Sequence, residues 1–208
     1  MADQGTDGRN GDRPDGRERL LRAAVRHLET KSAAQLRVTA IAQEADVALG
    51  LIRHHFGSRD GMVAAAQQRR LEGATRDDIA ATRTLLGQSD HDSLWDGIEQ
   101  LTRATVDRTR ADVRLSRFAS VATAHGRPDV RTAIGGTFGE LLDDMAALIR
   151  EAVDRGLVAT PLDPRAIATF IQSYALGLLV HDLDPASVDD EDLSAVIMTA
   201  VRAILSPA

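Results

Sequence analysis

Apolar residues recur with helical spacing through the first 75 residues of the chain. The first stripe predicts a helix at about residues 17–30. Two shorter stripes predict helices at about 38–45 and 48–55. A further stripe predicts a fourth helix, which has Ser58 as its N-cap. The residues of the first stripe lie at i, i+3, i+4 and i+7, namely Leu21, Ala24, Val25 and Leu28. Four helices in so short a span indicate a compact N-terminal module.

Asp46 and Val47 alone separate the second predicted helix from the third. So short a connection requires a sharp turn, and Asp is one of the few residues besides Gly that tolerates a left-handed backbone conformation. Two short helices joined in this way predict a helix-turn-helix, a unit that places its second helix in the major groove of DNA.

Beyond residue 75 the helical stripes lengthen, and no alternation typical of strands occurs. The strongest stripe runs from Ile134 to Val153, with Pro128 suited to the first turn and Gly156 suited to the end of the helix. The sequence therefore predicts an all-α protein with about nine helices. We expect an arm at residues 1–16, a helix-turn-helix domain at 17–66 and a larger helical domain at 67–208.

Residues 1–16 contain almost no large apolar side chain. Burial therefore cannot offset the entropy lost on ordering, and we expect this arm to be disordered. The arginines in and beside the arm either enter a minor groove or keep the tail solvated, and both alternatives stay open. They are Arg9, Arg13 and Arg17.

The net charge of −6 is unevenly distributed along the chain. Residues 1–75 contain 12 Lys and Arg against 10 Asp and Glu, whereas the remaining residues contain 13 against 21. A mildly basic module on an acidic remainder allows the module alone to approach a polyanion such as DNA.

The chain contains no Cys, which excludes disulfides, thiolate nucleophiles and Cys-ligated metal sites. It also has no Gly-rich phosphate loop after a strand and no HExxH or GxSxG motif, so we expect neither an enzyme nor a cofactor. Adjacent residues rarely converge on one metal ion. We therefore interpret two groups as solvated acidic loops rather than metal sites: Asp90 with His91 and Asp92, and His181 with Asp182 and Asp184.

The last two predicted helices carry more apolar surface than one covering layer needs. Two such helices from each of two chains would form a four-helix interface around a two-fold axis, so we predict a homodimer. The alternative is that both helices belong to the core of a monomer. The predicted interface residues are Ile167, Ile171, Tyr174, Leu178, Leu193, Val196, Ile197, Ala200, Val201 and Ile204.

The segments RERLLRAAVRHLETK, VTAIAQEADV and GLIRHHFGSRDGMVAA follow one another within residues 17–66. In residue type and spacing they resemble the N-terminal DNA-binding domain of TetR-family transcriptional repressors. The remainder, including GLVATPLDPRAIATFIQSYALGLL, is similar to that family only in its helical layout. The resemblance implies a helix-turn-helix head joined to a larger helical domain that binds an effector and dimerises.

The resemblance also implies which residues contact DNA. His54 and His55 occupy phosphate-contacting positions, although packing is the alternative for His55, and Arg59 stands where a lysine usually meets a phosphate. Phe56 occupies the position of a structural aromatic. The predicted contacts are Arg37, Thr39, Ala48, Leu49, Gly50, Leu51, Arg53, His54, His55 and Arg59.

Four positions depart from the family pattern. Asp46 replaces the usual turn glycine, Arg53 replaces the usual tyrosine, and Arg37 and Ala48 stand where Ser or Thr caps are common. Missing N-caps cost about 1 kcal/mol each, so this module should be less stable than those of its relatives. Because the tip of the third helix offers no side-chain hydrogen bond, we expect Arg53, apolar contacts with thymine methyl groups and DNA shape to discriminate bases.

Several large or polar side chains interrupt otherwise apolar faces beyond residue 75. They could line an effector cavity, and each could equally be an ordinary core residue. Because few of them are charged, we expect a mostly apolar or aromatic effector. They are Trp95, Phe118, His125, Phe138, Met145, Gln172 and Tyr174.

Together with the resemblance, which implies the repressor role, these patterns lead us to expect a regulator that binds a palindromic operator as a homodimer and is released by a small, mostly apolar effector. The alternative is a dimeric regulator without a small-molecule effector, which a protein partner controls or which acts as an activator. The sequence shows neither a signal peptide nor an uninterrupted apolar span, so we expect a cytoplasmic protein.

Overall fold

The computed structural model describes residues 15–88 and 90–205, and in this part of the chain all regular structure is helical. The chain divides into two compact units, the head (residues 1–69) and the body (residues 70–208). The predicted all-α fold is confirmed. Most of the predicted disordered arm, including Arg9 and Arg13, lies outside the described residues.

The helices of the head occupy the positions that the apolar stripes predict. Leu20, Ile41 and Met62 are fully buried at its centre, and Ile52 of the third helix packs against them. The elements are α1 Gly16–Thr30, a 3₁₀ turn Ala33–Gln35, α2 Val38–Glu44, α3 Gly50–Phe56 and α4 Arg59–Gln88, whose second half belongs to the body.

The turn between α2 and α3 has the hydrogen bonds of a Schellman motif. The N–H of Asp46 donates to the carbonyl of Gln43 at 3.1 Å, and the N–H of Val47 donates to the carbonyl of Ala42 at 3.1 Å. Asp46 has a φ of 52°, so the predicted left-handed aspartate is confirmed. The end of α2 thus turns the chain within two residues.

The body contains the second half of α4 and six further α-helices. In it α7 packs on α8, α5 on α10 and α6 on α9. Its core includes Ile79, Val106, Leu141, Leu148 and Val201. The elements are α5 His91–Val106, a 3₁₀ turn Arg108–Arg110, α6 Ala111–Ala122, α7 Pro128–Asp154, α8 Pro164–Gly177, α9 Leu179–Leu183 and α10 Asp190–Leu205.

Local signals set the ends of the long body helices. Pro128 lies in the first turn of α7. Gly156, with a φ of 68°, ends that helix through a second Schellman motif, in which the N–H of Leu157 donates to Ala152 at 2.9 Å. Asp90 is the N-cap of α5 and accepts a hydrogen bond from the N–H of Ser93 at 2.9 Å. The exposed Asp90 therefore has a structural role, and the expected loop at His91 and Asp92 was wrong, because these residues begin α5.

His181 and Asp182 do not lie in a solvated loop, and that interpretation was wrong. The Asp182 side chain is 1% exposed and forms an ion pair with Arg114 of α6. His181 is also buried, with Nε2 2.9 Å from Asp190 Oδ1 and Nδ1 in contact with the Ser187 hydroxyl. Both side chains fasten α9 to neighbouring elements.

The segment formed by α8 and α9 leaves much apolar surface uncovered. Pro164–Leu183 is long and apolar enough to cross a membrane by length and composition alone, and 22% of its most apolar 18-residue stretch is buried. Val180 is 75% exposed, and Phe170 and Leu183 are also exposed. A mostly exposed apolar helix in a folded unit requires a covering partner or an apolar environment.

The predicted dimer residues divide between the core and the surface of the body. Ile167, Leu178, Ile197 and Val201 are buried in the protomer itself, because their side chains face α4, α5 and α7 in one core cluster. Partial burial is found for Ile171, Tyr174, Leu193, Ala200 and Ile204. Val196, by contrast, is 66% exposed and faces outwards.

Candidate nucleic-acid interface and body cavity

The short helix α3 presents a polar and small-residue face to solvent. Gly50, Arg53 and His54 are exposed, as are Ala48 and Leu49 immediately before the helix. Ile52 anchors the opposite face in the head core. The helix therefore has one face free to enter a groove of a nucleic acid.

Leu51 and His55 lie on the side of α3 that faces the start of α1. A Cβ atom at Gly16 would lie 3.6 Å from Leu51 Cδ1 and 3.8 Å from His55 Nε2. Both residues are partly buried. Leu51 and His55, both predicted to contact DNA, therefore lie away from the exposed face of α3 and pack against the head.

Phe56 is partly buried against the head core, as expected for a structural aromatic. The guanidinium of Arg17 lies over its ring, 5.3 Å from the centroid. Such a cation–π contact contributes on the order of 0.5–1 kcal/mol at an exposed site. Arg17 is thus part of α1 and packs on the end of α3.

Arg59 uses its guanidinium within the head. Nη2 donates to the carbonyls of Ala33 at 2.5 Å, Ala34 at 3.2 Å and Leu36 at 3.3 Å. Nη1 also donates to the carboxylate of the adjacent Asp60 at 2.9 Å. Arg59 therefore holds the segment between α1 and α2, a role that spacing alone did not indicate.

Arg37 and Thr39, at the start of α2, are both exposed. Arg37 is the N-cap of α2, and its side chain makes no capping hydrogen bond. The N-cap of α3 is Leu49, which has no side-chain acceptor either. The missing cap predicted at Arg37 is confirmed, whereas the uncapped N-cap of α3 is Leu49 and not the expected Ala48.

Ser58 and Gly61 form the junction between α3 and α4. The Ser58 hydroxyl accepts a hydrogen bond from the N–H of Gly61 at 2.9 Å, which confirms the predicted N-cap. A Cβ atom at Gly61 would lie 2.1 Å from the carbonyl oxygen of Phe56, so this position requires glycine. Sequence reasoning missed Gly61, although its place three residues after a serine cap was visible.

Arg26 and His27 of α1 join α2 through Glu44. Arg26 Nε donates to Glu44 Oε1 at 2.7 Å, and His27 Nε2 lies 2.8 Å from Glu44 Oε2. The hydrogen bond from Arg26 lowers the pKa of Glu44, and it outweighs the burial that raises it. These contacts keep α2 in place beneath α3.

The body contains a cavity of about 500 Å³ with largely apolar walls. This volume lies within the range of about 300–1,000 Å³ typical of small-molecule sites. The Gln172 side chain amide lies 3.1 Å from Met145 Sδ, and burial raises the pKa of Tyr174. Four of the seven predicted pocket residues line the cavity: Phe138, Met145, Gln172 and Tyr174.

The other three predicted pocket residues lie elsewhere. Phe118 is 48% exposed on α6, and His125 is exposed beyond the end of that helix. Trp95 packs on the body core with the guanidinium of Arg202 over its ring at 5.4 Å. Their aromatic character gave no indication of which helix face they occupy.

Charged residues that the sequence did not single out line one wall of the cavity. Arg117 of α6 forms a bidentate ion pair with Asp78 of α4, at 2.7 and 3.2 Å. Arg114 lies beside it and is held by Asp182, Thr105 and Asp107. No group of three or more His, Asp or Glu side chains in the described part of the chain is arranged to hold a metal ion.

Two family models match the chain. The model described as bacterial regulatory proteins of the tetR family matches residues 20–66, and the model described as the C-terminal part of BetI-type transcriptional repressors matches residues 96–206. The chain belongs to the TetR family. A TetR-family protein is a DNA-binding transcriptional regulator and not an enzyme, so α2 and α3 form its helix-turn-helix.

Several known proteins are similar to this one at low identity. The HTH-type transcriptional regulator BetI of Stenotrophomonas maltophilia (strain R551-3) is 30% identical over 111 residues, and the match spans 53% of this chain and about half (52%) of that relative. GusR of Salmonella enterica is 17% identical with a TM-score of 0.64, covering 96% of this chain and all (100%) of that chain. A regulator from Saccharomonospora viridis, solved in complex with choline, is 20% identical with a TM-score of 0.63, covering 94% of this chain and all (100%) of that chain.

Proposed function

We propose that this TetR-family regulator is a homodimeric repressor, which binds an inverted-repeat operator and is released by a small, mostly apolar effector. The observation that carries the proposal is the coexistence of an outward face on α3 with a cavity of about 500 Å³ in the body. A regulator that only needed to bind DNA would not require such a cavity.

The exposed end of α3 supports the base-reading part of the proposal. Arg53 can donate two hydrogen bonds to guanine, and Leu49 can contact a thymine methyl group. His54, Thr39 and Arg37 are exposed donors for neighbouring phosphates. We assign Leu51, His55 and Arg59 to positioning α3, because their side chains already contact the head.

The uncovered apolar surface of the body supports the homodimer. Phe170, Val180 and Val196 are exposed, and they belong to α8, to α9 and to α10. Association through these helices would cover the apolar segment without requiring a membrane. We therefore centre the proposed interface on these outward residues rather than on those buried in the protomer, and we place the protein in the cytoplasm.

The cavity supports control by a small molecule. A ligand that binds one conformation of the body better than another shifts the population that binds DNA. The choline complex of the Saccharomonospora viridis protein shows that a neighbour of the same fold was solved with a small molecule bound. The competing proposal is control by a protein partner. Under that proposal no small molecule binds in the cavity to regulate DNA binding.

Selection of bound sites from random DNA with the purified full-length protein tests the operator. We expect an inverted repeat whose half-sites are centred about one helical turn or more apart. A small-molecule library then tests the effector, with thermal stabilisation and release of the selected operator as the two readouts. An operator without two-fold symmetry would contradict the dimer, and a library without a stabilising and releasing compound would favour control by a partner.

A further inference from the structure

The ion pair between Arg117 and Asp78 joins α6 to α4 in the cavity wall. Arg117 Nη1 donates to Asp78 Oδ2 at 2.7 Å, and Nη2 donates to Oδ1 at 3.2 Å. Both side chains line the cavity, whose remaining walls are mainly aliphatic. Any ligand that fills this cavity therefore meets a charged pair at one wall.

The two partners differ in how easily each can leave the pair. The Asp78 side chain is 41% exposed, so its carboxylate can turn towards water. The Arg117 side chain is 28% exposed, and its Nε is buried with no acceptor among the described residues. Leaving the less exposed guanidinium without an acceptor costs more than hydrating a carboxylate that is already partly exposed. A ligand can therefore replace Asp78 in this ion pair more easily than it can replace Arg117.

The other charged groups of the cavity wall are less suited to meet a ligand. Arg114 is tied to the buried carboxylate of Asp182 and to two backbone carbonyls. Arg110 donates to the carbonyl of Ala104 at 3.2 Å, and it is exposed, so water solvates its guanidinium at the edge of the cavity. Asp77, the second carboxylate of the wall, is exposed to solvent. Arg117 is thus the cationic group that a ligand can engage while the Arg114 pair stays intact.

Aromatic side chains contribute little to the cavity. Among its lining residues in the described chain, Phe138 and Tyr174 are the aromatic ones. Sites that bind quaternary ammonium groups surround the cation with several aromatic faces. This cavity therefore offers a weak site for an organic cation and a stronger one for an anion with an apolar body.

We propose that the effector is an amphipathic organic anion, whose carboxylate or similar head group replaces Asp78 on Arg117 while its apolar body fills the aliphatic part of the cavity. The inference rests on the proposed effector function and specifies its ligand class. The guanidinium keeps a carboxylate partner throughout the exchange, and the released Asp78 carboxylate, 41% exposed, is hydrated by water. It also breaks the Arg117 tie between α6 and α4.

Three probes with the same alkyl chain of about ten carbons test the ligand class, since they bury the same apolar surface. They are a saturated carboxylate, the primary alcohol and the trimethylammonium salt, each titrated calorimetrically into the full-length protein below its micelle concentration. The carboxylate should bind at least about 10-fold more tightly than the alcohol, because it can form charge-assisted hydrogen bonds with Arg117. The carboxylate should also release operator DNA.

Variants at the pair test the exchange itself. Arg117→Met should weaken carboxylate binding about 10-fold or more and leave alcohol binding unchanged, which also shows that the cavity is intact. Asp78→Asn should tighten carboxylate binding, because the competing carboxylate is gone. Arg131→Met, at an exposed arginine of α7, is the matched control and should change the binding of neither the carboxylate nor the alcohol.

Two results would overturn the anionic class while leaving the effector function standing. One is a carboxylate that binds no more tightly than the alcohol, and the other is an ammonium probe that binds tightest and loses its affinity in Asp78→Asn. If none of the probes binds to a protein that still holds its operator, the anionic class is also overturned. The library screen then decides separately whether any effector exists.

Discussion

Arg19 of α1 fastens the turn that contains Asp46. Its Nη1 donates to the backbone carbonyls of Ala45 and Asp46, both at 3.0 Å, and lies 3.7 Å from the Asp46 carboxylate. In the described part of the chain, Asp46 is the one residue other than glycine with a positive φ. The guanidinium thus stabilises a left-handed residue that lacks the conformational freedom of glycine.

Arg19→Ala should destabilise the head by about 1–2 kcal/mol, because charge-assisted hydrogen bonds to the turn are lost and the site is partly exposed. Asp46→Gly should stabilise it by about 1 kcal/mol, because glycine adopts the left-handed conformation without a Cβ clash. In the Asp46→Gly background, Arg19→Ala should cost less than in the parent. Thermal unfolding of the four proteins measures this coupling, and strictly additive effects would contradict the compensation.

Arg59→Ala should lower the melting temperature, because the carbonyls of Ala33, Ala34 and Leu36 lose a shared donor. The salt dependence of operator binding should keep its slope, since the guanidinium already has partners in the head. Arg59→Lys should restore little of the stability, because an ammonium cannot span the same carbonyls. A slope reduced by about one unit with unchanged stability would instead indicate a direct phosphate contact.

Arg53→Ala should relax the sequence preference of operator binding at one base of each half-site. Because Arg53 is exposed, stability should change little. Loss of a bidentate contact to guanine costs about 1–3 kcal/mol in discrimination between bases. Binding to operators with each base at that position measures the effect, and Arg131→Ala in the body is the control. Unchanged discrimination would exclude Arg53 from base reading.

Glu44→Gln should make the head less stable at neutral pH and narrow the difference from the parent at low pH. The folded-state pKa of Glu44 lies below its ordinary value of 4.5, chiefly because Arg26 donates a hydrogen bond to it. A lowered pKa contributes stability above the unfolded-state value, and this contribution is lost as the pH falls through the folded-state pKa. Thermal unfolding of both proteins between neutral pH and about pH 3 checks the sign. A stability difference between the two proteins that does not change with pH would contradict the lowered pKa of Glu44.

Val196→Asp should convert the proposed dimer to a monomer without unfolding the protomer. The side chain is 66% exposed on α10, so the protomer core does not depend on it, whereas a buried interface would hold an unpaired charge. Sedimentation velocity gives the mass of the variant. Leu162→Asp, at an apolar residue before α8 that is 50% exposed, is the control and should stay dimeric. A dimeric Val196→Asp variant would place the interface elsewhere.

Apolar periodicity was sufficient to predict the helices of the head and the all-α class. The position of the turn at Asp46, the cap at Ser58 and the stop at Gly156 were also predictable. These features are local, because a helix places residues three and four apart on one face and a turn depends on the φ of one residue. The resemblance over residues 17–66 was equally informative, and the matched family model confirms it.

The partners of the arginines were decided by the tertiary structure alone. Arg19, Arg59 and Arg117 look alike in sequence, yet one fastens a turn, one holds a neighbouring segment and one pairs in a cavity wall. Apart from Asp60, which is adjacent to Arg59, their partners lie 23 to 39 residues away in the chain. Likewise, packing decided that Ile197 is core and Val196 is surface. Periodicity shows that a helix has an apolar face, but the elements that pack against it determine which of its residues lose contact with water.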